Sequence, residues 1–138
     1  LIARRLASRR LILCAAPAYL ARRGAPRDLS ELPAHDLLTG SSEHWRFSEA
    51  GRETSFRPQG RWRCNSGAAV LDAAIQGLGL CQLPDFYVTE PLRAGVLTAL
   101  LTEHRPPDEG VWAVHPHRRH VPPKVRLMID HLRASLAA

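Results

Sequence analysis

Cys64-Asn65-Ser66-Gly67-Ala68-Ala69-Val70-Leu71-Asp72-Ala73-Ala74-Ile75-Gln76-Gly77-Leu78-Gly79-Leu80-Cys81-Gln82-Leu83-Pro84 is the stretch that decides the fold. Asn65 or Ser66 offers a side-chain oxygen to cap a helix, an Ala-rich run follows, and Gly77 is a stop residue, so a helix is expected over 67–76. Nearly all of its surface is apolar, which predicts burial between layers. Gly79 to Leu83 then reads as a strand that Pro84 ends, and Arg61 to Cys64 as a short strand before the helix. Strand, buried helix and strand in succession imply an α/β layered domain with a mainly parallel sheet. Such sheets hold ligands at the carboxyl ends of their strands, where helices begin.

Working outward, Arg10 to Ala15 is a short apolar run of the kind a buried strand shows. Pro17 to Arg23 has Pro in the first helical position and Gly24 after the last, so it is expected as a short helix. Asp28 to Leu32 fits one more helical turn. Between Leu37 and Cys64 the short stretches 37–38, 45–47, 54–56 and 61–64 are divided by Gly, Ser, Glu and Pro, as short strands with turns would be. On the other side, Phe86 to Arg93 forms a helix ended by Gly95, Val96 to Leu101 a strand, Glu103 to Gly110 a polar loop and Val111 to His115 a strand. A last helix opens at Pro122, with Val125, Met128, Ile129, Leu132 and Leu136 on one face.

The 138 residues are 45% hydrophobic and 23% charged, the composition of one globular domain. No run approaches the ~20 apolar residues that a membrane span needs. The opening Leu1-Ile2-Ala3-Arg4-Arg5 has no initiator Met and no signal-like apolar region, and reads as a cut inside a longer protein. Net charge is +6, which raises the expectation of a polyanionic partner. The excess lies at one end, however. Arg4, Arg5, Arg9, Arg10, Arg22, Arg23 and Arg27 precede the first acid, and from Asp28 onward acids outnumber bases by one. Cys14, Cys64 and Cys81 are odd in number and unpaired in spacing, which argues against a disulfide framework or zinc ribbon and for a reducing, cytoplasmic home.

Chemistry-bearing patterns are sparse. His115, His117 and His120 lie close in sequence, but Arg118 and Arg119 among them would repel a cation, so a solvated loop is expected and no metal site. No paired carboxylates, nucleophile elbow, HExxH or phosphate-binding glycine loop is present, and neither catalysis nor a cofactor is expected. Two junctions are better candidates. At Asn65, Ser66 and Gly67 the first amides of the buried helix are free to face a small carboxylate at the positive end of the helix dipole. The alternative is that Asn65 or Ser66 merely caps its own helix. At Ala15, Ala16 and Pro17 small side chains would let a ligand approach the backbone, or simply permit close packing. Trp45, beside Ser41, Ser42 and His44, is a candidate pocket wall.

Several stretches together resemble the effector-binding domain of LysR-type transcriptional regulators. They are Leu1 to Ala7, Leu11 to Ala21, Asp28 to Leu32 with His35-Asp36, Trp45 to Phe47, Asn65 before Ala74 to Gly79, Leu83-Pro84, Leu92 to Leu97 and Pro122 to Leu132. The branch resembled carries Ala-Ser-Pro-Ala-Tyr-Leu, and Ala16 stands here where Ser is usual. The resemblance implies a periplasmic-binding-protein-like fold, two α/β subdomains joined by crossover strands, the first incomplete in this chain. Residues 1–15 would leave subdomain one, 16–110 form subdomain two and 111–138 return to subdomain one. It also implies a small-molecule effector held between the subdomains by Ala15, Ala16, Pro17, Thr39, Gly40, Ser41, Asn65, Ser66 and Gly67. DNA would be contacted only through an absent N-terminal winged helix-turn-helix, in a homo-oligomer (dimer or tetramer), with no membrane contact. Two other readings stand beside it: nucleic-acid binding through the Arg-rich first 27 residues, and a solute-binding or enzymatic domain on the same fold.

Overall fold

The computed structural model describes residues 1–117 and 119–137; Arg118, part of the His-rich stretch, and Ala138 lie outside them. In chain order come β1 (Ile2–Arg9), β2 (Leu11–Ala15), α1 (Pro17–Arg23), a 3-10 turn at Leu29–Ala34, β3 (Leu38–Thr39), β4 (Trp45–Glu49), β5 (Arg52–Phe56) and β6 (Trp62–Arg63). Then follow α2 (Gly67–Ile75), β7 (Cys81–Pro84), α3 (Asp85–Arg93), β8 (Thr98–Ala99), a 3-10 turn at Thr102–His104, β9 (Glu109–His115) and α4 (Pro123–Leu136). They fall into two units: Leu1–Arg9 with residues 108–138, and Arg10–Pro107. None of the described helices is long and apolar enough to cross a membrane.

In the Arg10–Pro107 unit, β2 lies between β7 and β8 and runs antiparallel to both. A parallel bridge between Leu37 and Leu80 ties β7 to β3, through Leu38 N–H to Leu80 O and Leu80 N–H to Asp36 O, both 2.8 Å. β3 in turn pairs in parallel with β6. The parallel arrangement expected from the strand–helix–strand pattern therefore holds for β7, β3 and β6 and fails at β2. The apolar run of β2 encodes burial on both faces rather than a direction: Ile12 and Cys14 face one core, Leu13 and Ala15 the other.

The first of these cores is closed by Val70, Ala73 and Ala74 of α2 with Leu83 and Val88. The second holds Tyr19, Leu32, Leu37, Trp45, Phe47 and Leu80. α2 buries one face only, since Ala68, Asp72 and Gln76 are exposed, so the expectation of a helix enclosed between layers is corrected. An alanine surface looks apolar in a count but is small enough to leave in water at little cost. β8 is shorter than the strand expected over 96–101. Only Thr98 and Ala99 pair with Ala15 and Cys14, and Leu101 turns away at φ +47°. β4 and β5 form a hairpin around Ala50-Gly51, both at positive φ, the conformation that a two-residue turn between twisted strands requires. Trp45 is 3% exposed and packs on Phe56, which makes it a core residue and not a pocket wall.

Cys14 and Cys81 are directly opposed across β2 and β7 with their sulfurs 3.6 Å apart, both fully buried and both free thiols. The hydrogen bond with Cys14, with burial second, pushes the Cys81 thiol well above its ordinary range. A thiolate is the reactive form, so Cys81 is shielded twice over, and Cys14 by its burial. Titration of the native protein with an aromatic disulfide reagent is expected to modify half-buried Cys64 first, while Cys14 and Cys81 react only after denaturant is added. Fast reaction of all three in native buffer would contradict the packing described here.

In the other unit, β1 pairs antiparallel with β9 from Ile2↔His115 to Arg9↔Glu109, with a register shift between Arg5 and Ala7. α4 packs on β1, burying Leu6 and Ile129. Of the apolar face expected on this helix, Met128 (58% exposed) and Leu136 (48% exposed) are not covered by the ribbon. Trp112 is likewise half exposed, with the Arg5 guanidinium 5.8 Å from its ring centre.

Candidate functional site

Thr39 and Arg63 end two strands that run side by side in the same direction, so the chain leaves β3 and β6 at one end of the sheet. The register is pinned by Thr39, which is 3% exposed: its hydroxyl donates to Trp62 O, and its carbonyl accepts the Cys64 N–H, both at 2.9 Å. The loop from Gly40 to Ser42 and the Asn65–Gly67 junction are thereby brought together. A Cβ on Gly40 would lie 3.8 Å from the Cys64 carbonyl oxygen and 3.9 Å from Val70 Cγ2, in the first turn of α2.

α2 begins at Gly67, with Ser66 in extended conformation as its cap; Ser66 Oγ accepts the Ala69 N–H at 3.3 Å. The cap is therefore Ser66, and the Ser66 side chain is committed to its own helix. The amides of Gly67 and Ala68 precede any turn that could accept them, Asn65 is exposed beside them, and no acid lies in the first turn. Exposed Arg63 just upstream adds positive charge at the same end. One residue that the sequence analysis missed also belongs here. Tyr87 of α3 packs its hydroxyl 2.6 Å from where a Cβ on Gly67 would sit, so any larger residue at 67 would have to push this ring aside. Phe86, 67% exposed, has its ring centre 4.6 Å from that of Tyr87. No local pattern could have announced this, because the contact joins two helices that share only the sheet.

Ala15, Ala16 and Pro17 are not part of this assembly. β2 runs against β7 and β3, so its last residues lie where those strands start. The beginning of α1 packs instead on the far end of α2: a Cβ on Gly77 would be 3.8 Å from Tyr19 N and 3.9 Å from Ala18 Cβ. The nine residues of α2 separate the two junctions by about 13 Å at 1.5 Å per residue. Ala15 and Ala16 are 0% and 3% exposed, so their small size serves close packing, the plainer of the two readings. Ser41 is exposed beyond Gly40.

Several arginines of the start have partners within their own unit. Arg5 lies over Trp112, Arg9 pairs with Glu109, Arg22 donates to Gly77 O, Arg23 to Asp36 and Ala34 O, and Arg27 to Glu31. Among the described residues no group of His, Cys, Asp and Glu could hold a metal ion.

The model of the LysR substrate binding domain matches residues 1–137. The chain belongs to this family. The LysR domain described here is 31% identical over 129 residues to the HTH-type transcriptional regulator PgrR of Escherichia coli K12, covering 89% of the chain and 43% of that protein. It is 31% identical over 136 residues to a probable HTH-type transcriptional regulator, LtrA, of Klebsiella pneumoniae, covering 94% and 44%. Among solved structures, the full-length virulence activator AphB of Vibrio cholerae superposes at a TM-score of 0.84 with 30% identity, covering 99% of the chain and 48% of AphB. CrgA of Neisseria meningitidis superposes at 0.83 with 27% identity, covering 99% and 48%. The fold is the mixed α/β fold of these LysR regulatory domains, and the chain spans less than half the length of the relatives it matches.

Proposed function

We propose that this LysR domain is the effector-sensing part of a cytoplasmic, homo-oligomeric DNA-binding transcriptional regulator, in which a small carboxylate settles at the start of α2. The observation that carries this reading is the convergence of the Gly40 loop, Asn65, Gly67 and Tyr87 on a helix start with unaccepted amides and no acid in its first turn. Such a start holds an anion through oriented N–H groups and the helix dipole. The finer architecture adopted with it is periplasmic-binding-protein-like: Leu1–Arg9 and 108–138 belong to a first subdomain that the longer protein completes, and Arg10–Pro107 forms the second. Binding alters transcription only as far as the effector's affinity differs between two arrangements of the regulator. The DNA contact itself is assigned to a winged helix-turn-helix outside this chain, as the helix-turn-helix names of the relatives suggest.

The test uses the full-length regulator and a panel of aliphatic and aromatic acids in thermal shift and calorimetry. A cognate acid at a hundredfold excess over Kd should stabilise the protein by about 2.7 kcal/mol. Asn65→Leu should weaken that response at least tenfold, about 1.4 kcal/mol, and abolish effector-dependent transcription while leaving the apo protein folded. A panel-wide absence of response, together with unchanged regulation by the Asn65→Leu protein, would refute the proposal.

A further inference from the structure

The face between α4 and the β1–β9 ribbon encloses a cavity of about 230 Å3 lined by Arg4, His115, Arg126, Asp130 and Arg133, with Val121 and Ile129 as its apolar part. Spacing on α4 sets three of these on one side: Arg126, Asp130 and Arg133 stand four and then three residues apart. Arg4 comes from β1 and His115 from the last position of β9, opposite Ile2.

Two independent observations mark the cavity as a site. First, Arg4, Arg126, Arg133 and Asp130 form no ion pair within 4 Å among the described residues, whereas the neighbouring Arg9 is held by Glu109. Three guanidiniums against one carboxylate leave two uncompensated positive charges on a single small cavity. Second, His115 Nδ1 lies 3.1 Å from Pro116 O, to which only a ring N–H can donate, while His115 Nε2 is buried and has no hydrogen-bond partner among the described residues. A buried polar atom without a partner in a wall of unpaired arginines is a polar cluster that these residues leave incomplete.

We infer that this cavity binds a doubly charged oxyanion of the phosphate class, held by Arg4, Arg126 and Arg133 beside His115. The charge of a dianion matches the surplus, and the planar guanidinium fork offers paired donors to two phosphate oxygens at once. The volume accommodates a phosphoryl group with its hydration but no large body. The site is separate from the α2 start, lies wholly in the other unit, and does not depend on the effector reading.

The experiment titrates the full-length regulator calorimetrically with inorganic phosphate and with methyl phosphate, at ionic strength held constant with chloride, and with acetate as the monoanion. One saturable phosphate site per chain is expected, with acetate binding at least tenfold more weakly. Binding of inorganic phosphate alone assigns free phosphate; binding of methyl phosphate as well assigns the phosphoryl end of a metabolite. The Arg126→Gln, Arg133→Gln double variant, both positions exposed, should keep its circular dichroism and lose at least tenfold in phosphate affinity, while Asn65→Leu leaves phosphate binding intact. Arg133→Lys, which keeps charge without the fork, covers the case in which the double variant fails to fold, and should weaken binding severalfold. The inference is overturned if phosphate shows no saturable binding, if the arginine variants bind it undiminished, or if they lose affinity only for duplex DNA.

Discussion

Replacing Tyr19 by Ala is expected to lower the unfolding free energy by about 3–5 kcal/mol, the range for deleting a large buried aromatic side chain. Tyr19 is 0% exposed, and it joins α1 to the second core and to the turn at His35-Asp36. Its hydroxyl accepts the Asp36 N–H at 3.1 Å and shares a second hydrogen bond with His35 Nδ1 at 2.8 Å. Tyr19→Phe keeps the ring and strips both bonds, so a loss of about 1–3 kcal/mol is expected from it. The difference between the two variants measures the packing share. Urea unfolding should show a lower midpoint at an unchanged slope, and a midpoint within experimental error of the parent for Tyr19→Ala would contradict the assigned core.

The same contact carries a pH signature. Burial, and after it the Arg23 charge, hold His35 below the ordinary histidine value. The unfolded chain therefore takes up its proton first. Between the ordinary value of about 6.5 and the lower folded value it binds more protons than the native state, so stability falls as pH drops through that window and is unaffected above it. His35→Asn should flatten that slope. Tyr19 behaves in the opposite sense, since burial raises its pKa and the unfolded phenol ionises first. Stability should accordingly decline again as pH rises past about 10.

Gly79→Ala has the second large effect, about 3 kcal/mol of destabilisation, at the upper end of what overpacking a well-filled site costs. Gly79 is buried, and an added Cβ would press into the carbonyl of Asp36, with its carbon at 3.0 Å and Leu38 Cγ at 3.2 Å. The obstacle is backbone, which no rotamer change can move. That carbonyl accepts the Leu80 N–H, half of the bridge joining β7 to β3, so relief of the clash breaks the link between the antiparallel and parallel parts of the sheet. Gly40→Ala is the control: its Cβ would find ordinary contacts at 3.8 and 3.9 Å, and a change within about 1 kcal/mol is expected. Equal losses for the two variants would contradict the Asp36 carbonyl as the obstacle at Gly79, since the entropy change of Gly→Ala by itself is stabilising.

The elements that could be read from sequence are those whose signals are local. Pro17 and Gly24 bracket α1, and Ser66 and Gly77 bracket α2, because a cap oxygen and a left-handed stop act on their own helix. The direction of β2 was not legible, since a run buried on both faces looks the same whichever way it enters a sheet. That single ambiguity also displaced Ala15, Ala16 and Pro17 from the end of the unit where the candidate site lies. Tyr87 and the Arg4–Arg126–Arg133 group escaped notice because each depends on residues far apart in sequence meeting across a layer. β1 itself was hidden by its arginines: six of its eight positions are polar or small, and its pairing with β9 alone makes it a strand.

The ladder between β1 and β9 has a kinetic corollary. Its innermost pair, Arg9 and Glu109, is 100 residues apart in the chain, and closing a flexible loop of that length costs about 4 kcal/mol. Once everything from Arg10 to Pro107 has condensed, that loop is no longer flexible and most of the cost has been met. The ribbon and its helix should then form last and open first, and amide hydrogens of β1 and β9 should exchange faster than those of β2 and β7.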